Sequence, residues 1–319
     1  MQKLLLIDGN AILHRAFHAY PGFTDKEGNM VNAVYGFYAM LLKLLEEVHP
    51  DYLTICFDRG EPTFRMNMYA GYHANRPKMS DDLSPQVPRL HDSLDQLKVP
   101  HYGVDGYEAD DLLGTLSLQA KEKGLDTIIV TGDRDLLQLV NGVVKVLMPI
   151  IGITKTLLMD EQAVEEKYGV RPSQIIDYKA LVGDQSDGYP GVAGIGPKTA
   201  SGLLQKYETL ENLYAHLGDL KPETAQKLAQ DAESAGLCKT LATIHLDAPV
   251  HLDLEAAKIE HFTKEKFGEI FDGFGFTSLK KRLGLAVEAP QKQETDNKKQ
   301  KDSGNPRMTG KNENQLELL

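Results

Sequence analysis

The sequence predicts an α/β protein: a mostly parallel sheet with helices on both faces, followed by a helical lobe. Three observations carry this. Short apolar runs of strand length alternate with helical stretches over residues 1–150. Residues 160–285 hold no comparable strand series. Asp residues stand at the ends of the apolar runs, the carboxyl edge at which such sheets hold their ligands.

The first run, LLLID at 4–8, reads as a buried strand. Asp8 interrupts it before it reaches the ~7–15 apolar residues of a signal peptide. YLTICF (52–57), TIIVT (127–131) and VVKVLM (143–148) are the further strands. AVYGFYAMLLKLLEEV (33–48) and ADDLLGTLSLQAKEKG (109–124) are the helices between them, and this alternation implies parallel pairing. The connection at 59–93 is long and polar. It interleaves Arg59, Arg65, Arg76, Lys78 and Arg89 with Phe64, Tyr69 and Tyr72. Such a connection is functional or disordered. The mixed cations and rings predict a clamp for single-stranded nucleic acid, with a solvated loop as the alternative. Domain limits are expected at 1–159, 160–285 and 286–319, the last a disordered tail rich in Gln, Asn, Lys and Gly.

With 319 residues, 41% of them hydrophobic, the chain can bury a core in one large domain or two small ones. Its 25% charged residues exclude wholesale disorder. No apolar run approaches the ~20 residues of a membrane span. Cys56 and Cys238 fit no metal or disulfide pattern, so a reducing cytoplasm is expected. The net charge of −11 argues against a nucleic-acid partner unless the acids gather around metal ions.

The acids do fall into sets: Asp8; Asp58; Glu108, Asp110 and Asp111 in YEADD; Asp133 and Asp135 in TGDRD; Asp184 and Asp187 in GDQSD. A single strand-end Asp is more often a cap or turn residue than a ligand. Sets converging on one sheet edge would repel each other, so cations must sit among them. Oxygen-only donors select Mg²⁺ or Mn²⁺, and no His or Cys at ligand spacing points to zinc. A structural calcium site is the alternative, and it seldom needs so many charges. Two ions roughly 4 Å apart suit in-line displacement at phosphorus. The second motif runs GVAGIGPKTA from Gly191 to Ala200, a Gly-x-Gly turn opening a helix at Pro197. Such a turn offers backbone N–H groups to a phosphate. It lacks the spacing of a dinucleotide or Walker loop, so a sequence-independent grip on DNA phosphates fits better, with an ordinary helix corner as the alternative.

LLLIDGN, the FD at 57–58, YEADD, TGDRDLLQL and GDQSDGYPGVAGIGPKTA, in this order, resemble the bacterial 5′→3′ exonucleases. These form the N-terminal module of bacterial DNA polymerase I, within the flap endonuclease superfamily. The resemblance covers roughly residues 1–285. It implies a metal-binding α/β domain with a helical arch at 59–93 and a helical lobe with a helix–hairpin–helix at 188–207 that grips duplex DNA, often with K⁺. It implies that Asp8, Asp58, Glu108 and Asp110 bind a first metal and Asp133, Asp135 and Asp187 a second, with Asp111 and Asp184 in support. Gly191, Gly194, Gly196, Lys198 and Thr199 fall in the DNA-gripping hairpin, and Arg65 in the arch clamp. Arg15, Tyr72 and Arg76 match positions that contact the reacting strand. The sequence departs from the family pattern at His73, where Lys is usual, at Met66-Asn67, and at Gly188, where Asn is usual.

The activity implied is two-metal hydrolysis of DNA phosphodiesters at 5′ flaps and primers, by a bacterial cytoplasmic monomer. The Met start and distinct tail favour a free-standing nuclease over an excised module. A phosphatase with Asp8 as nucleophile is the first rival, but its second Asp is here Asn10. A non-catalytic junction binder is the second, and the full set of carboxylates argues against it. The terminal Gln315, Leu316, Glu317, Leu318 and Leu319 look like a peptide that binds the bacterial replication sliding clamp, with three leucines for apolar pockets and Gln315 for a directed hydrogen bond.

Overall fold

The computed structural model describes residues 1–60, 62–151 and 155–287. The tail with Gln315, Leu316, Leu318 and Leu319 lies outside them. Six strands form one sheet in the order β3-β2-β1-β4-β5-β6: β1 (Lys3–Asp8), β2 (Tyr52–Cys56), β3 (His101–Tyr102), β4 (Asp126–Val130), β5 (Val144–Ile151) and β6 (Lys155–Met159). All neighbours pair in parallel except β5 and β6. The four strands expected from the apolar runs are present. β3 has only two residues, and β6, at the sheet edge, has an apolar run of only three residues, Leu157 to Met159, so neither stands out in the sequence.

Helices α1 (Gly9–Ala19), α2 (Asn32–Val48), α3 (Phe64–Met68), α4 (Gln86–Leu97) and α5 (Ala109–Glu122) lie between the parallel strands. After the sheet come α6 (Glu161–Tyr168), α7 (Ile175–Val182), α8 (Pro197–Tyr207), α9 (Leu210–Ala215), α10 (Pro222–Gln230), α11 (Ala232–Ala242), α12 (Leu254–Ala257), α13 (Lys264–Phe274) and α14 (Thr277–Arg282). Among the described residues no helix is long and apolar enough to cross a membrane.

Alternation along β1 divides the core. Leu4 and Leu6 join Leu112 and Leu116 of α5 and the helices that follow the sheet. Leu5 and Ile7 face the other way, toward Phe37 and Tyr38 of α2 and Leu90 and Leu94 of α4. Phe267, Phe271 and Leu279 of the last two helices, with Phe276 from the turn between them, join this second layer. The helical series therefore does not close on itself. Its end returns to the far face of the sheet, and residues 1–286 form one compact unit.

The 59–93 segment holds one short helix, α3, then successive turns, and ends inside α4. α7, the turn 183–196 and α8 make the helix–hairpin–helix, with Pro197 at the first position of α8.

Candidate metal centre and nucleic-acid interface

Parallel strands end together, so the residues that follow β1, β2 and β4 share one edge of the sheet. Asp8 closes β1 and caps α1, accepting from the Ala11 amide at 2.9 Å. Its other oxygen accepts from the Thr131 hydroxyl at 2.7 Å. That hydroxyl accepts from the Asp133 amide at 3.0 Å, and Asp133 accepts from the Asp135 amide at 2.8 Å. Asp58 follows β2, where the Asn10 side chain accepts its amide at 3.0 Å and its carboxylate accepts from Ala109 at 2.7 Å. Asn10 and Thr131 are thus positioning residues that the sequence reading missed.

The electrostatics bind these acids into one set. Burial pushes the Asp8 carboxyl up to about 7; the Ala11 amide and Thr131 oppose this, and the charges of Asp58 and Asp133 add to it. Burial also raises Asp110 well above the carboxylate range, reinforced by Asp133, Asp8, Glu108 and Asp58. Asp133 and Glu108 are raised by burial too, opposed by Lys179 and Arg65 respectively.

A second set stands beside the first. Asp135, Asp184 and Asp187 can each offer an oxygen so that all three lie within 4.8 Å of one another. Lys179, which the sequence reading passed over, sends its ammonium to Asp135 and to Asp184, the latter at 2.5 Å. Burial would raise Asp184, but Lys179 and Ser186 hold it down at about 2. A cavity of about 310 Å³ opens here between Gly132, Asp133, Arg134, Lys179, Asp184 and Ser186. The signal for Lys179 was present in IIDYKALV, a lone cation in an apolar helix.

Residues 3–169 match the family model of the 5′-3′ exonuclease N-terminal resolvase-like domain, and residues 170–265 that of the 5′-3′ exonuclease C-terminal SAM fold. The chain belongs to the 5′-3′ exonuclease family. This family member is 44% identical over 286 residues to DNA polymerase I of Caldicellulosiruptor bescii, covering 89% of this chain and 34% of that one. To DNA polymerase I of Bacillus subtilis it is 38% identical over 294 residues, covering 92% and 33%. The chain therefore spans about a third of the length of the curated relatives it matches. Its fold is shared with a structure of T5 5′-exonuclease with bound divalent metal ions (zinc), at a TM-score of 0.65, 18% identity and 86% and 99% coverage. It is also shared with the catalytic core of Rad2 in complex with DNA substrate, at 0.55, 16%, 86% and 87%.

Within this exonuclease-family fold, four expected site residues sit elsewhere than the sequence implied. Asp111 is fully buried, and both its oxygens are occupied by the Arg65 guanidinium at 2.8 Å. The same oxygens accept from the amides of Glu108 and His245. It is a structural anion, not a metal ligand. Arg65 is buried likewise and also donates to the carbonyls of Leu241 and Thr243 and to Glu108. It bolts the start of the arch and the end of α11 to the N-terminus of α5 and is unavailable to DNA.

Gly191 is buried in the hairpin at φ +70, where a Cβ would meet Gly183 N at 2.4 Å, so it is a packing residue. Tyr72 is turned inward and donates to Glu108 at 3.0 Å, so its ring offers no platform to a base in this arrangement. Arg89 is also held inward, by Asp25 at 2.5 Å and over the Phe274 ring.

The two arginines and the rest of the hairpin are placed as follows. Arg15 on α1 reaches toward Gly132, in the turn that carries Asp133. Arg76 is exposed, and Asp133 feels its charge. Gly194, Gly196, Lys198 and Thr199 are all exposed along the hairpin and the first turn of α8.

Proposed function

We propose that this chain is a structure-dependent 5′→3′ exonuclease and 5′-flap endonuclease that hydrolyses DNA phosphodiesters with two divalent ions, Mg²⁺ or Mn²⁺, in primer removal and repair. The observation that carries this reading is the crowding of buried carboxylates at the sheet's carboxyl edge, with Asp8, Asp110, Asp133 and Glu108 all raised. Carboxylates so placed fit a divalent cation and little else, and an oxygen-only donor set fits a hard one.

Asp8, Asp58, Glu108 and Asp110 would hold the first ion, and Asp133, Asp135 and Asp187 the second, with Asp184 in support. Such ions supply a nucleophile at neutral pH and offset the charge that develops at phosphorus. The chain's own residues do the rest. Exposed Lys198 and Thr199, with the Gly194–Gly196 turn, hold the duplex by its phosphates without reading sequence. A K⁺ ion would sit in the same turn. Arg15 and Arg76 steady the strand phosphates beside Asp133, and Tyr72 and His73 orient the carboxylates.

The enzyme acts as a monomer in the bacterial cytoplasm. Gln315, Leu316, Leu318 and Leu319 would tether it to the sliding clamp, raising its concentration at nicks. A labelled 5′ flap tests the reading. Cleavage to 5′-phosphate products in Mg²⁺ and none in EDTA supports it. Cleavage that ignores EDTA, or none in either Mg²⁺ or Mn²⁺, rejects it.

A further inference from the structure

Residues 71–73 and 187–188 are in close main-chain contact. The His73 amide donates to the Asp187 carbonyl at 2.8 Å, and its ring Nε2 stands 3.1 Å from the Asp187 carboxylate. The Tyr72 ring stacks on the His73 ring at 4.1 Å, and its hydroxyl donates to Glu108 at 3.0 Å. Gly188 makes this approach possible. A Cβ there would lie 2.5 Å from the Gly71 carbonyl oxygen, and the residue has φ +85. His73 is itself in the left-handed region at φ 55, a conformation a non-Gly residue keeps only when its surroundings enforce it. His73 and Gly188 thus flank a single contact.

We infer that the turn Gly71–His73 is a brace seated on the hairpin: Tyr72 holds Glu108 of the first carboxylate set, His73 holds Asp187 of the second, and Gly188 supplies the gap that lets the arch main chain reach both. Tyr72, His73 and Gly188 are positioning residues in this account. The brace fixes the separation of the two sets from one rigid turn. It also immobilises the base of the arch, leaving Arg76 and Lys78 exposed just beyond it. The consequence for metal binding rests on the function proposed above, whereas the brace itself does not.

The test therefore has two arms. In the first, limited trypsin digestion in EDTA follows cleavage after Lys78 by mass spectrometry, since Pro77 blocks cleavage after Arg76. Gly188→Asn, which pushes the Gly71 carbonyl away, is expected to speed that cleavage at least about tenfold while the thermal melt stays cooperative. His73→Ala, which leaves the gap intact, is expected to speed it less. In the second arm, Mn²⁺ is titrated calorimetrically into each protein. Loss of a group that orients a ligand weakens metal affinity by ~10–100-fold. His73→Ala should therefore weaken one class of site by about tenfold, and His73→Gln should recover part of the loss by donating to Asp187. Unchanged trypsin rates in both variants would overturn the brace. Faster trypsin cleavage with unchanged Mn²⁺ affinity would overturn its link to the carboxylates. A wild-type protein that binds no Mn²⁺ would reject the metal reading, and the trypsin arm would still decide the brace.

Discussion

The two carboxylate sets stand side by side on one sheet edge, yet they solve the problem of crowded charge in opposite ways. In the first, Asp8 is buried and Asp110 half-buried with other acids for neighbours, and loss of solvent drives their carboxyls up. In the second, Lys179 is inserted between Asp135 and Asp184, and Asp184 is held at about 2. The second carries part of its counter-charge in the chain.

The largest expected effect separates ligands from structural acids. Asp110→Asn should lower single-turnover flap cleavage by on the order of 1000-fold, the size of losing a principal electrostatic group. Duplex binding in Ca²⁺ should survive. Residual cleavage above about a tenth of wild type would remove Asp110 from the ligand set.

Arg65→Met should instead act on stability. Removing one partner of a buried ion pair costs about 3–5 kcal/mol, read by urea unfolding, and duplex affinity of the folded fraction should be unchanged. A stable variant with weakened DNA binding would return Arg65 to the clamp.

The third prediction concerns pH. The Asp8 carboxyl is pushed up to about 7 in the folded chain from its ordinary 3.8, so between these values the folded state holds a proton the unfolded state has released. Its contribution is fully present below about pH 3.8 and is lost as pH rises to about 7. Asp110, Asp133 and Glu108 shift in the same direction. In EDTA the melting temperature should therefore fall across that window, and Mg²⁺ should flatten the slope. Asp184 has the opposite sign: its contribution is present above about 3.8 and lost as pH falls through about 2. A metal-free stability that rises from pH 4 to 7 would break the contrast between the sets.

The smallest effect sharpens the second set. Lys179→Met should lower the melting temperature in EDTA yet enlarge the gain on adding Mn²⁺, because the ammonium no longer competes for Asp135 and Asp184. An equal or smaller gain would show that Lys179 does not compete with the ion.

Much of this was legible in the sequence, for definite reasons. Asp8, Asp58 and Asp133 could be placed because parallel strands must end together, and each follows an apolar run. Arg65 could not, since a cation in a polar segment looks the same whether it faces solvent or a buried acid 46 residues away. Its partner was half visible: Asp111 stands three residues after Glu108, the spacing at which a side chain turns back to cap a helix. Gly191 read as a phosphate glycine because the sequence cannot tell a turn open to a ligand from one closed on its own backbone. The return of α13 and α14 to the far sheet face was hidden for a similar reason. An amphipathic pattern shows that one face is covered, not what covers it.

The central claim is that these carboxylates hold two divalent ions at the carboxyl edge of the sheet. Anomalous diffraction from crystals soaked in Mn²⁺ tests it most directly. The account predicts two manganese peaks roughly 4 Å apart, one among Asp8, Asp58, Glu108 and Asp110, the other among Asp133, Asp135 and Asp187, with none at Asp111. A peak at Asp111, or no peak within reach of Asp8 and Asp110, would contradict it.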